Sequence, residues 1–242
     1  MIAKPYYVNK VNYFELFYQI KNLLEENFSH NDKIHNMDLD NYFKFNLGLQ
    51  NKINELNFSK KFIDYNINSI KKFVGEDNLY YTPEVYLRAV RNQTDTNSEY
   101  IEFHRESYYN EFNKDCYSVW IPFVKITENN CLKYVDESRN KVKNNTEKVK
   151  NLLIDQYSPG HKLGLNYNNF KLKINNNNIK PMLLNDGEYI MFDGNLLHGG
   201  GQNKEEYIRI AINFFIIPSE KPINYYSTKK TNNKNVYYTK YN

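Results

Sequence analysis

Two histidines, one glutamate and one arginine are the residues whose types and spacing carry chemistry. His104 and Glu106 stand two apart at the end of Tyr100–His104, a segment that reads as a strand. Extended backbone turns residues i and i+2 to the same face, so an imidazole nitrogen and a carboxylate oxygen enter one cavity together. That pair suits a divalent metal such as iron(II), and a second histidine completes a set that leaves coordination positions open. His198 is the candidate: it follows a strand and a turn and opens the glycine-rich stretch Gly199–Gly201. Arg209 comes eleven residues later, inside the otherwise apolar strand Tyr207–Ile217. A guanidinium on a buried strand face needs an anionic partner. A dicarboxylate cosubstrate supplies one by bidentate contact, and an internal Arg–Glu pair is the alternative. The other three histidines read as surface or loop residues. His30 and His35 lack the i, i+4 spacing of a helical metal pair, and His161 follows a Ser-Pro-Gly turn.

The elements that must position these residues fall into two textures. Residues 1–75 read as helical. Tyr13, Leu16, Phe17, Ile20, Leu23 and Leu24 recur at spacings of three and four, as do Phe62, Ile63, Ile67, Ile70 and Phe73. Residues 30–48 between these stripes read as a loop or broken helix. After Gly75 the chain changes to short β-rich segments: Val85–Arg91, Tyr100–His104, Tyr117–Val124, Glu188–Phe192 and Tyr207–Ile217. Residues 136–153 are charged and read as helical or as an insertion. Many strands with few crossover helices predict a mainly β fold with flanking helices (α+β), an antiparallel sandwich or barrel. One domain is expected over 1–242. Residues 1–75 form its helical part, 76–218 its β-fold and 219–242 a C-terminal tail.

Composition excludes more than it assigns. Two cysteines, Cys116 and Cys131, are too few for a disulfide scaffold or a four-cysteine zinc site. No apolar run reaches the roughly 18–20 residues of a membrane span, and no secretory leader is visible, so a cytoplasmic protein is expected. The +4 charge comes from scattered, interleaved residues, so nucleic acid is not expected as a partner. Asp38-x-Asp40 reads as loop solvation, not as a sugar-nucleotide metal motif. His198–Gly201 resembles an esterase oxyanion loop, but the chain has no Gly-x-Ser-x-Gly elbow to accompany it.

His104-x-Glu106, then His198, then Arg209, resembles the iron(II)/2-oxoglutarate-dependent oxygenases, and within them the phytanoyl-CoA dioxygenase-like family. Phe192–Gly201 is similar to that family's segment around the distal metal histidine. Tyr117–Phe123 with Ile126–Asn130 is similar to its strand and turn after the first metal motif. The resemblance covers roughly residues 80–218. It implies a double-stranded β-helix (a jelly roll, cupin-like) with iron(II) held by His104, Glu106 and His198. It implies 2-oxoglutarate held by Arg209, with Tyr117 or Ser118 as further hydrogen-bonding candidates. O2 and 2-oxoglutarate would be converted to succinate and CO2 while a C–H bond is oxidised, by hydroxylation as the default. A non-catalytic jelly roll that binds carbohydrate or a partner is the alternative.

Three departures from the family pattern stand out. Glu106 replaces the usual aspartate, Gly200 stands where a hydroxyl residue is common, and Asn129-Asn130-Cys131 replaces an acidic-Asn-Gly turn. Arg88, Arg91, Asn92, Arg105, Tyr108, Tyr109 and Trp120 form a polar and aromatic set expected near the mouth of the barrel. They suit a small polar substrate such as a sugar, nucleotide-sugar or polysaccharide precursor, with an amino acid or carrier-bound acyl group as the alternative. The oligomeric state is not readable from sequence.

Overall fold

The computed structural model describes residues 6–12, 14–28, 32–92, 103, 105–106, 116–135, 147–148, 170–171, 178–218 and 239–241. The expected strand ending at His104, and with it His104, Tyr108 and Tyr109, lies outside these residues, as does most of 136–153.

The helical part begins with a strand that the periodicity does not predict, β1 (Tyr6–Lys10), followed by α1 (Glu15–Phe28), α2 (Asp32–His35), α3 (Leu39–Glu55) and α4 (Phe58–Val74). In α1 the buried residues Leu16, Phe17, Ile20, Leu24 and Phe28 form the apolar stripe. Helix α4 buries Phe58, Phe62, Ile63, Ile70 and Val74. It stops at Gly75, whose φ of 80° is left-handed and whose N–H donates to the Lys71 carbonyl at 2.8 Å. Of the two readings of 30–48, loop or broken helix, the described residues show a broken helix: α2, a break at 36–38, then α3. Asp38 caps it by accepting from the Asn41 N–H at 3.0 Å, so the Asp-x-Asp motif is a helix start. Its buried stripe is Tyr42, Phe43, Asn46, Leu49, Gln50 and Ile53. The two amides interrupt the apolar pattern, and Gln50 is retained because its Oε1 accepts from the Leu87 N–H of the sheet at 2.9 Å.

The strands that follow are β2 (Leu79–Tyr81), β3 (Tyr86–Val90), β4 (Tyr117–Pro122), β5 (Leu132–Val135), β6 (Glu147–Lys148), β7 (Phe170–Lys171), β8 (Ile179–Met182), β9 (Glu188–Asp193), β10 (His198–Gly199), β11 (Arg209–Pro218) and β12 (Thr239–Lys240). Antiparallel pairing builds a seven-stranded sheet in the order β1-β9-β4-β11-β2-β12, with β3 also on β11, and a three-stranded sheet β10-β5-β8. Strands β6 and β7 pair only with each other. Part of the expected C-terminal tail thus returns to the sheet as β12, and Tyr241 beside it donates its hydroxyl to Asp64 Oδ1 at 2.9 Å.

Strand alternation sorts the large sheet into two faces. Ile210, Ile212, Phe214 and Ile216 of β11 join Leu87, Ala89, Val119, Ile121, Tyr189 and Met191 in the core under the helices. Phe62 of α4 meets Tyr189 and Phe214 there edge-on, with ring centroids 5.1 and 5.8 Å apart. The opposite face places Trp120, Ile190, Phe192 and Ala211 against Leu132, Tyr134 and Met182 of the small sheet. Two antiparallel sheets closing over a shared core, with helices on one outer face, are the jelly-roll arrangement expected from sequence. The same alternation turns Arg88, Ser118, Arg209 and Asn213 toward the interior between the sheets. Among the described residues, no helix is long and apolar enough to cross a membrane.

Candidate metal and cosubstrate site

The turn after β9 brings the chemistry together. Asp193 accepts from the Asn195 N–H through Oδ1 at 2.7 Å and from the Leu196 N–H through its carbonyl at 2.8 Å. The chain therefore reverses at once and delivers β10 to the small sheet, where His198 pairs with Tyr134. The same turn receives Arg105 and Glu106 of the first motif. The Glu106 N–H donates to the Gly194 carbonyl at 2.8 Å, and the Arg105 guanidinium donates to the Asn195 carbonyl. Two short-range features of the sequence are thereby joined by one tight turn.

His198 Nδ1 lies 2.9 Å from the Leu196 carbonyl. A carbonyl only accepts, so Nδ1 carries the proton and Nε2 keeps its lone pair. That lone-pair nitrogen is 3.5 Å from Glu106 Oε1, and both side chains are almost fully buried. Phe192 closes the other side of the imidazole, edge-on with centroids 4.4 Å apart. A separation of this size is spanned by two donors each about 2.0–2.2 Å from one divalent ion. The carbonyl behind Nδ1 is the outer contact that metal-binding histidines use to fix their tautomer. His198 and Glu106 therefore fit a metal. Glu106 reaches the histidine despite the extra methylene, because its backbone is tied to Gly194.

Arg209 is 3% exposed. Nη1 donates to the carbonyls of Asn130 at 3.1 Å and Gly201 at 3.4 Å, and to that of Gly200. Its Nε is buried and makes no hydrogen bond. Among the described residues no carboxylate pairs with it, so the internal Arg–Glu alternative finds no support there. Burial pushes its pKa down to about 10; Cys131 nearby opposes the shift and the positive charge of Arg88 adds to it. A buried cation with an orphaned donor fits a carboxylate from outside the protein. Gly201 sits at φ 55°, a left-handed conformation that favours glycine.

The remaining predicted residues divide. Ser118 faces the interior and its Oγ accepts from Asn213 Nδ2 at 2.7 Å. Tyr117 faces the other way and packs edge-on against Phe73 at 5.4 Å, under the helices. Arg88 faces the interior and lies over the Tyr86 ring, 5.4 Å from its centroid. Arg91 is instead a brace: Nη1 donates to the Ile34, His35 and Met37 carbonyls at 3.0, 3.3 and 2.6 Å, and the guanidinium stacks 4.2 Å above Tyr42. Asn92 donates to the Glu205 carbonyl at 2.8 Å and bridges to Asn203. Trp120 is 3% exposed in the intersheet core, and Arg105 is buried on the turn it holds. Arg91, Asn92 and Trp120 are thus engaged in holding elements together. Asn213 was not anticipated. Its position on β11, four residues from Arg209 and on the same face, is the signal that would have found it.

The profile of the phytanoyl-CoA dioxygenase (PhyH) family matches residues 25–211. The chain belongs to the phytanoyl-CoA dioxygenase family. This is a family of iron(II)- and 2-oxoglutarate-dependent oxygenases. No curated protein matches the chain. Among solved structures it is similar to EvdO2 from Micromonospora carbonacea var. aurantiaca, at 13% identity over 69% of this chain and 66% of that one, with a TM-score of 0.48. It is also similar to the apo non-heme monooxygenase ThoJ, at 13% identity over 62% and 50% with a TM-score of 0.43. A third likeness is to SnoN, a non-heme alpha-ketoglutarate-dependent epimerase from nogalamycin biosynthesis, at 12% over 61% and 50% with a TM-score of 0.40. The chain spans about half the length of ThoJ and SnoN.

Proposed function

We propose that this chain is an iron(II)/2-oxoglutarate-dependent dioxygenase that hydroxylates a C–H bond of a small polar metabolite, with a sugar or sugar-nucleotide as the favoured class. The observation that carries the reading is the buried pair of His198 Nε2 and Glu106 Oε1 at 3.5 Å, with His198 Nδ1–H donating to the Leu196 carbonyl. His104, two residues before Glu106 in the sequence, is proposed as the third ligand.

Iron(II) with 2-oxoglutarate and O2 supplies the oxidising power, releasing succinate and CO2. The protein's own part is positioning. His198 and Glu106 present an imidazole nitrogen and a carboxylate oxygen 3.5 Å apart. Arg209 offers its guanidinium, fixed by three backbone carbonyls, to the distal carboxylate of 2-oxoglutarate. Trp120, Ile190 and Phe192 fill the interior beneath and keep bulk water from that side.

The substrate class rests on the interior-facing Arg88, Ser118 and Asn213. Their polarity suits a ligand bearing hydroxyls or charged oxygens better than a long acyl chain. The test is incubation with iron(II), ascorbate and 2-oxoglutarate against panels of sugars, sugar nucleotides, amino acids and acyl carriers, with succinate and product mass followed together. A sugar-class product heavier by one oxygen supports the reading. Oxidation of an acyl carrier alone overturns the substrate class, and metal binding unaltered by His198→Ala overturns the site.

A further inference from the structure

Arg209 is held by carbonyls, so whatever fixes those carbonyls fixes the cosubstrate's anchor. Asn130 stands out. It is fully buried at 0% exposure, yet it belongs to the turn Ile126–Cys131, outside any strand. Its Oδ1 accepts from the Thr127 N–H at 2.8 Å, and its Nδ2 donates to the Lys125 carbonyl at 3.0 Å and to the Tyr207 hydroxyl oxygen at 3.2 Å. The Asn130 N–H donates to the Thr127 carbonyl at 3.3 Å. Tyr207 in turn donates its hydroxyl to the Lys125 carbonyl at 2.8 Å. Side chain and backbone of one residue are therefore tied on every side, leaving its own carbonyl aimed at Arg209 Nη1 at 3.1 Å.

The turn is pinned from a second direction. Thr127 Oγ1 donates to Glu205 Oε1 at 2.5 Å, and the Lys204 N–H donates to the Asn129 carbonyl at 3.0 Å. The loop 203–207 that leads into Arg209 is thereby clamped to the turn that receives Arg209. A turn needs only a small residue or a glycine at such a place. It does not need a fully buried amide making three side-chain hydrogen bonds within the turn and its neighbours.

We propose that Asn130 is a positioning residue for 2-oxoglutarate, acting through Arg209, with the Tyr207 hydroxyl as the outer member of the same clamp. The proposal rests on the reading of Arg209 as the anchor for the distal carboxylate. Losing Asn130's side chain frees the turn, lets its carbonyl drift from Nη1 and loosens the guanidinium, while His198 stays held at Nδ1 by the Leu196 carbonyl and Glu106 by its N–H on the Gly194 carbonyl.

The test measures anaerobic binding to the iron(II)-loaded full chain of two 2-oxo acids: 2-oxoglutarate, and pyruvate, which lacks the distal carboxylate. For Asn130→Ala the expected result is a Kd for 2-oxoglutarate raised about tenfold, the order for a disturbed hydrogen bond to a charged group, with pyruvate and iron(II) affinities unchanged. Tyr207→Phe removes a half-buried hydroxyl without a cavity. It should give a smaller change of the same kind, about two- to threefold, and so keeps the test open if Asn130→Ala does not fold. Equal weakening of both acids, or no change for 2-oxoglutarate in either variant, overturns the proposal. Arg209→Ala is the control for the underlying reading. If it too leaves 2-oxoglutarate binding intact, the assignment of Arg209 fails; if only Arg209→Ala acts, the clamp alone fails.

Discussion

Glu106 Oε1 lies 3.5 Å from His198 Nε2, and the contact exists because Glu106 is hung by its backbone from the Gly194 carbonyl of the turn that precedes His198. Carboxylate and imidazole are thus referred to one rigid frame. The length of the carboxylate side chain is set against that frame, so the unusual glutamate is matched to its own backbone position.

Restoring the shorter aspartate is therefore expected to harm the site. With the backbone tied, Glu106→Asp withdraws the carboxylate by about one bond length from His198. Iron(II) affinity should fall about tenfold, at the lower end of what disturbing a metal site costs. Competition against a chromophoric chelator measures it. Equal or tighter binding by the aspartate variant would show that the carboxylate is not held in this way.

Arg91 separates a structural role from a substrate role. It spans from β3 to the end of α2 through three carbonyls and stacks on Tyr42. Arg91→Ala should lower stability by about 2–3 kcal/mol, from lost charged hydrogen bonds and a cation–π contact. Denaturant titration gives that number, and the KM for substrate should stay within about twofold. A raised KM with unchanged stability would return Arg91 to the substrate.

Much of the site was legible because its signals are local. The two-residue spacing of His104 and Glu106, the glycines after His198 and the charge inside an apolar strand need no tertiary knowledge to read. The less legible parts depend on partners distant in the chain. Helix α3 was obscured because Asn46 and Gln50 occupy its buried stripe, and Gln50 is explained only by the Leu87 N–H it meets. Strand β1 is a short edge whose register comes from β9. Arg209 stood out in sequence, but the roles of the arginines around it did not. The fold shows Arg91 and Arg105 bracing neighbouring segments through backbone carbonyls, while Arg209, beside its own three carbonyls, keeps an orphaned Nε.

Alkaline pH should act on the fold through buried tyrosines. Burial pushes Tyr86 and Tyr189 up to about 12 from the ordinary value near 10. Their folded pKa values exceed the unfolded ones, so the folded state holds more protons between those limits. The stability they contribute is complete below pH 10 and is lost as pH rises toward 12. Phenolate absorbance should show most tyrosines ionising early and a late group ionising together with unfolding followed by circular dichroism. A single early transition with the fold intact would contradict the shielding of these two hydroxyls, that of the buried Tyr189 and of the partly buried Tyr86.

The most direct measurement is anaerobic calorimetric titration of 2-oxoglutarate into the full chain with and without iron(II), for the wild type, His198→Ala and Arg209→Ala. The account predicts that wild-type binding depends on the metal and that His198→Ala loses iron(II) binding and with it the cosubstrate. It also predicts that Arg209→Ala keeps iron(II) but binds 2-oxoglutarate at least tenfold more weakly, as expected for losing a bidentate charged contact. Wild-type binding of 2-oxoglutarate that is indifferent to iron(II), or iron(II) affinity unchanged in His198→Ala, would contradict it.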